Sequence, residues 1–214
     1  RLINGGWQRV LSLSQTSGRG RRGNSWQTQE GGLACTWVLS GGTLGRHSPG
    51  LIQTSVGAVV SDALGCCVKW PNDLVTEDGR KLGGVLVEGN SKDDGIRVGI
   101  GLNKRSGVID GTTVAGWDEF VGEKTAIEVF DILDPAISSH FEEHSLVPLV
   151  EEDELVALSW KSLARSLSTG IVLRYKGSRV RAVGLSSEGH LLTEFDGLVA
   201  TIDDINTLDW SPIT

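Results

Sequence analysis

The sequence predicts an α+β fold, in which a mixed, largely antiparallel sheet with helices on one side precedes a small barrel-like β module. Three observations carry this. Between residues 66 and 102, short apolar runs are separated by Pro, Asn, Asp and Gly clusters at intervals that favour antiparallel hairpins. Three stretches, near residues 50–64, 124–144 and 155–163, carry apolar residues at or near helical spacing. After Ser168-Thr169-Gly170 the pattern changes to short strands divided by Gly-containing turns.

Residues 9–14 alternate polar and apolar side chains as a strand does, and residues 33–39 form a second apolar, partly β-branched run. The arginine-rich segment between them is therefore a loop joining two strands. Residues 50–64 read as a helix through Leu51, Val56, Val59 or Val60 and Leu64, with Ser61 and Asp62 facing out and Gly65 ending it. Strand candidates follow at 66–70, 82–88 and 96–102. In the 124–144 stretch Ile127, Phe130, Leu133, Ile137 and Phe141 recur at three or four residues, and Pro135 should kink the helix or begin a second one. Residues 155–163 form a further helix containing Trp160. The terminal strands are expected at 171–175, 179–185, 190–194 and 198–202, with turns at Lys176-Gly177, Ser187-Glu188-Gly189 and Asp196-Gly197.

At 214 residues the chain can bury one sizeable core, or a main core and a small second one. Hydrophobic residues at 39% and charged residues at 22% are ordinary for a soluble globular protein, and no stretch approaches the roughly 20 apolar residues that span a bilayer. No membrane association is expected. The start lacks the apolar core of a signal peptide, and Met is absent throughout, so an N-terminally incomplete chain is expected. Cys35, Cys66 and Cys67 make an odd count without metal-ligand spacing, which suits a reducing cytoplasm. A net charge of -7 argues against nucleic acid as a partner, whereas Arg19, Arg21 and Arg22 form a local positive cluster suited to a small anionic ligand.

Gly18-Arg19-Gly20-Arg21-Arg22-Gly23 satisfies G-x-G-x-x-G, but the context is wrong for a dinucleotide fold. That fingerprint opens a helix and is followed about 20 residues later by an acidic residue for the ribose; here residues 36–46 contain no Asp or Glu. The same spacing suits a flexible loop whose glycines bring backbone N–H groups to phosphate while guanidinium groups supply bidentate donors. A merely solvated basic loop is the plain alternative.

A second constellation is Lys69-Trp70-Pro71-Asn72-Asp73-Leu74, followed by Arg80-Lys81-Leu82-Gly83-Gly84-Val85-Leu86-Val87-Glu88. With the segment from Gln15 to Gly23, Trp26, and Val98-Gly99-Ile100-Gly101-Leu102-Asn103, these blocks resemble the ordered motifs of biotin protein ligases. The resemblance is strong over residues 8–103, weakens over the helices, and returns at Trp160 and at Ala182-Val183-Gly184-Leu185 through Gly189-His190-Leu191-Leu192, which is similar to the small SH3-like domain of these enzymes.

The resemblance implies a class II synthetase-like catalytic domain for biotin and ATP over residues 1–167 and an SH3-like β-barrel over 168–214. It implies a chemistry in which biotin and ATP form biotinyl-5'-AMP with Mg2+, and biotin then passes to a lysine of a carboxyl-carrier protein domain, such as that of acetyl-CoA carboxylase. By the same resemblance, Gln15 binds the ureido group, while Gly18, Arg19, Gly20, Arg21 and Arg22 belong to the loop over biotin and its adenylate. Trp26 lies beside the adenosine and Asn103 reads adenine. Lys81 serves the reacting centre between carboxylate and α-phosphate, Gly84 belongs to the biotin site, and Asp73 orients Lys81 or the magnesium. Lys69 and Trp70 are expected to be structural, since a period-two strand puts one of them in the core.

Two departures stand out. Family members carry a Ser-Thr-Asn segment upstream of the glutamine, and this sequence begins after it. Asn24 occupies a position where many bacterial members have a basic residue that reaches phosphate, which would weaken adenylate retention. Relatives of another kind attach lipoate, double as repressors through an N-terminal helix-turn-helix that is not visible here, or bind biotin without chemistry; dimerisation through sheet edges occurs in the family, and the sequence leaves it open.

The remaining candidates have plainer readings. His140 and His144 lack the Glu of a zinc protease motif, and Cys66-Cys67 suits small buried hydrophobes. Trp117 and Trp160 suit the core rather than a base-stacking platform, and Glu151 to Glu154 suit the acidic first turn of a helix.

Overall fold

The structure is a computed structural model that describes residues 8–12, 14–39, 47–90, 95–146 and 152–212. Six strands, β1 (Gln8–Ser12), β2 (Leu33–Leu39), β3 (Cys67–Lys69), β4 (Asp73–Val75), β5 (Lys81–Asn90) and β6 (Gly95–Leu102), form one sheet in the order β1-β2-β6-β5-β4-β3. Every pair along that path is antiparallel. The hairpin of β7 (Gly107–Ile109) and β8 (Thr112–Val114) adds to β5 in parallel, which makes the sheet mixed, as expected.

The first helix, α1 (Pro49–Leu64), is bounded by strong local signals. The Ser48 side chain accepts the Leu51 N–H, Pro49 occupies the first turn where its missing N–H is harmless, and Gly65 ends the helix in the left-handed conformation. Asp62 is exposed as anticipated, but Ser61 is fully buried. Its hydroxyl donates to the Cys66 carbonyl (2.7 Å) and accepts from Arg165 (2.8 Å), because the helix α4 (Glu152–Leu167) covers that side.

After the short α2 (Asp118–Val121), α3 (Ala126–Leu146) runs unbroken through Pro135, and no second helix starts there. Pro135 lies on the exposed side, where the carbonyl it leaves unpaired can bind water. The buried stripe is Ala126, Val129, Leu133 and Ile137, whereas Ile127 is 55% exposed. The expected face is thus corrected by about one residue at its start. Phe130 stacks on Trp37 with ring centroids 5.6 Å apart. The side chains of His140, Phe141 and His144, and residue Glu151, lie outside the described residues.

The second sheet contains β9 (Ile171–Tyr175), β10 (Ser178–Leu185), β11 (Leu191–Phe195), β12 (Leu198–Ile202) and β13 (Leu208–Pro212), in the order β12-β11-β10-β9-β13 and antiparallel throughout. Both two-residue turns are left-handed, Lys176-Gly177 at φ 51° and 82° and Asp196-Gly197 at φ 51° and 78°, which matches the twist of the strands they join. β10 pairs with β9 through its first half and with β11 through its second, with a bulge between Ala182 and Gly184. This curled sheet is compatible with an SH3-like domain.

Two cores result. One lies between the first sheet and the helices α1 and α3. The other gathers Leu173, Leu185, Leu191, Ile202 and Leu208 of the second sheet around Val68, Trp70 and Leu163, so β3 and α4 close it. Trp70, 2% exposed, donates its indole N–H to the Gly189 carbonyl at 2.8 Å, which bears out its structural role. Among the described residues no helix is long and apolar enough to cross a membrane.

Candidate active site

The segment joining β1 to β2 folds into a tight hairpin. Trp26 N–H donates to the Gly18 carbonyl (2.9 Å), Gly20 N–H to Asn24 (2.7 Å) and Asn24 N–H to Arg21 (3.1 Å), around a single helical turn at Arg21–Gly23. Arg22 is left-handed at φ 56°, so the chain reverses here and cannot open a long helix. The hairpin excludes the dinucleotide reading on geometry. A Cβ on Gly18 would lie 2.3 Å from the Trp26 carbonyl oxygen and 2.9 Å from Gln15 Oε1, so only glycine fits. Gln15 Oε1 also accepts the Thr28 hydroxyl at 2.9 Å.

Glycines floor the space beneath the hairpin. On β5 and β6, Gly84 stands opposite Gly101, and a Cβ on Gly101 would sit 2.5 Å from the Trp26 ring. Trp26 therefore packs closely against the bare backbone of Gly101. At the start of β5, Lys81 Nζ is 2.7 Å from Asp73 Oδ1 on β4 and 5.9 Å from the Trp26 ring centroid. A bulge between Leu74 and Val75 shifts the β4–β5 register between these two side chains.

All of the residues singled out from the sequence except Gly18 and Asn103 line a single cavity of about 470 Å³. Arg21 faces it with a guanidinium nitrogen 3.5 Å from Asn72 Oδ1; burial first, and then the neighbouring Arg22 charge, press its pKa below the ordinary value. Arg19 points to Glu88 at 3.3 Å and Arg22 to Asp204 at 2.9 Å. Asn24 also lines the cavity.

Asn103 lies behind this wall at the end of β6, 2% exposed. Its Nδ2 donates to the Lys81 carbonyl at 3.2 Å, while its Oδ1 is buried without a partner, as is Trp26 Nε1. Buried polar atoms without partners are uncommon, and each calls for a partner such as a water, an ion or a ligand.

Sequence reasoning missed several lining residues. Arg97 shares the period-two face of β6 with Gly99 and Gly101, so strand alternation could have found it. Ile205 and Asn206 come from the turn before β13, and no sequence pattern links them to a hairpin so distant along the chain. Among the described residues no group of three His, Cys, Asp or Glu forms a metal cluster. The three cysteines are free and buried; burial pushes the Cys66 thiol up to about 12, which leaves it unreactive.

A largely antiparallel sheet thus floors a cavity under a glycine-arginine hairpin, and a small antiparallel module follows it. Residues 8–104 match the model of the Biotin/lipoate A/B protein ligase family. It is 35% identical to the biotin--[acetyl-CoA-carboxylase] ligase of Paracoccus denitrificans, over 44% of this chain and 43% of that protein. It is 29% identical to the bifunctional ligase/repressor BirA of Escherichia coli strain K12, over 86% of this chain and 61% of that protein. The chain thus spans less than two thirds of the length of these relatives. The biotin protein ligase of Aquifex aeolicus in complex with biotin and ATP superposes with a TM-score of 0.72 at 25% identity, covering 96% of this chain and 89% of that one.

Proposed function

We propose that this chain is the catalytic part of a biotin protein ligase, which forms biotinyl-5'-AMP from biotin and ATP and transfers biotin to a lysine of a carboxyl-carrier domain. The observation that carries this reading is the Lys81–Asp73 pair, set under Trp26 and facing the arginine hairpin in one cavity.

A carboxylate is a poor electrophile until it is joined to a good leaving group. In the proposed first step the biotin carboxylate oxygen bonds to the α-phosphorus of ATP and the bond to pyrophosphate breaks. Negative charge grows on the α-phosphate, where the Lys81 ammonium, held by Asp73, and the Arg21 guanidinium would stabilise it. In the second step a carrier lysine amine bonds to the carbonyl carbon, AMP leaves with the former carboxylate oxygen, and the amine sheds a proton.

Gln15, Gly18, Arg19, Gly20 and Gly84 would shape the biotin end. Trp26, Arg22 and Asn103 would hold the nucleotide; the unpartnered Asn103 Oδ1 suits the amino group of adenine. Mg2+ arriving on ATP needs one or two protein carboxylates, and Asp73 and Glu88 line the cavity. It would neutralise phosphate charge. A charge of -7 argues against a nucleic-acid partner, and three free cysteines suit the cytoplasm.

The test is biotin-dependent exchange between ATP and pyrophosphate, with mass spectrometry for biotinyl-AMP. Exchange with biotin, and none with lipoate, is the expected result. Exchange with lipoate alone would move the chain to the other branch of the family; tight biotin binding without exchange would make it a binding homologue.

A further inference from the structure

The turn that precedes β13 belongs to the second sheet yet forms part of the cavity wall. Asp204 begins it. One carboxylate oxygen accepts the Asn206 N–H at 2.9 Å, and the Asp204 carbonyl accepts both the N–H (3.1 Å) and the hydroxyl (2.6 Å) of Thr207. The turn is thus held by its own hydrogen bonds before anything else touches it. The same Oδ1 lies 2.9 Å from an Arg22 guanidinium nitrogen, and Ile205 and Asn206, next in the chain, line the cavity.

The second sheet is in turn pinned to the first unit. The Trp70 indole is hydrogen bonded to Gly189 at 2.8 Å, and Gly50 at the start of α1 approaches the 188–189 backbone so closely that a Cβ there would lie 2.5 Å from the Glu188 carbonyl oxygen. Asp204 is therefore a fixed anchor. Arg22 is not, since it sits at the left-handed corner of a hairpin whose guanidinium groups repel one another.

We propose that Asp204 is a positioning residue that latches Arg22 to the second sheet, holding the arginine hairpin over the cavity and lengthening the retention of an acyl-adenylate. The second half rests on the ligase reading above; the first half does not. The latch is a partly exposed ion pair with side-chain exposures of 50% and 32%, so its effect is graded rather than absolute.

The test compares the wild-type chain with Asp204→Asn and Asp204→Glu. Asparagine keeps the acceptor for the Asn206 N–H and removes only the charge, and equal melting temperatures confirm that the turn is intact. Without ligands, trypsin should cleave within the hairpin about threefold faster in Asp204→Asn than in wild type, with Asp204→Glu restored toward wild type. Equal cleavage rates overturn the latch. With biotin, ATP and Mg2+, Asp204→Asn should release biotinyl-AMP about threefold faster, while the KM for biotin is unchanged. Faster cleavage without faster release overturns the claim on retention. If wild type makes no adenylate, the ligase reading falls together with the claim on retention, and the cleavage comparison still decides the latch.

Discussion

Lys81 and Asp73 meet across neighbouring strands, Nζ to Oδ1 at 2.7 Å, in the wall of a cavity to which β5 and β6 contribute Gly84, Gly99 and Gly101. The pair gives the ammonium a fixed position. Lys81→Ala should lower biotinyl-AMP formation by about 10²–10³-fold, the scale for loss of one preorganised donor. Asp73→Asn misplaces the ammonium without removing it, and a loss of about tenfold is expected. Single-turnover formation of the adenylate measures both; equal losses would show that Asp73 acts directly rather than through Lys81.

The glycines of β5 and β6 make a different prediction. Gly83→Ala would place a Cβ 2.2 Å from the Gly101 carbonyl oxygen, a backbone atom that cannot step aside, and should destabilise the fold by about 1–3 kcal/mol in urea unfolding. Gly101→Ala would meet the Trp26 ring instead, at 2.5 Å. Here the side chain can swing away, so the expected outcome is near-normal stability with weakened ATP binding by calorimetry.

Much of this site could be read from the chain, and the reasons are local. The cap at Ser48 and Gly65, the two left-handed hairpin turns and the glycines of β5 and β6 each depend on residues close in sequence. What escaped reading depends on partners far away. Ser61 is buried only because α4 packs over it, and the stripe of α3 is set by the sheet rather than by its own periodicity. β13 carries Asp, Ser and Pro among its five residues and is a strand because β9 offers an unpaired edge. Asp204 reaches Arg22 through packing that no spacing rule encodes.

Asn103 has one partner for its amide nitrogen and none for its oxygen. An acceptor in that position favours a purine that presents an amino group and opposes one that presents a carbonyl. ATP should therefore support exchange and GTP should not. Asn103→Ala should raise the KM for ATP about tenfold and narrow the difference between the two nucleotides. A preference for ATP that survives the substitution would place the discrimination elsewhere.

Acid should loosen the corner beside Lys81. Arg80 bonds Glu119 through two nitrogens, at 2.8 Å each, and also bonds Asp78 at 2.8 Å. Both carboxyls are held below their ordinary range, Glu119 mainly by Arg80 and Asp78 mainly by the Thr76 hydroxyl and then by Arg80. A carboxyl depressed in the folded state contributes stability that is complete above its unfolded pKa, near 4, and is lost as pH falls through the folded value. Thermal melts should fall below about pH 4, and Glu119→Gln should flatten part of that fall.

The cavity wall takes its last pieces, Ile205 and Asn206, from a turn that the ribosome makes long after the arginine hairpin and the glycine floor. During synthesis the amino-terminal part of a chain folds first. A nascent chain therefore holds Lys81, Asp73 and the arginine hairpin before it holds the wall that encloses them. Enclosure comes only once the second sheet has been translated and has docked on Trp70.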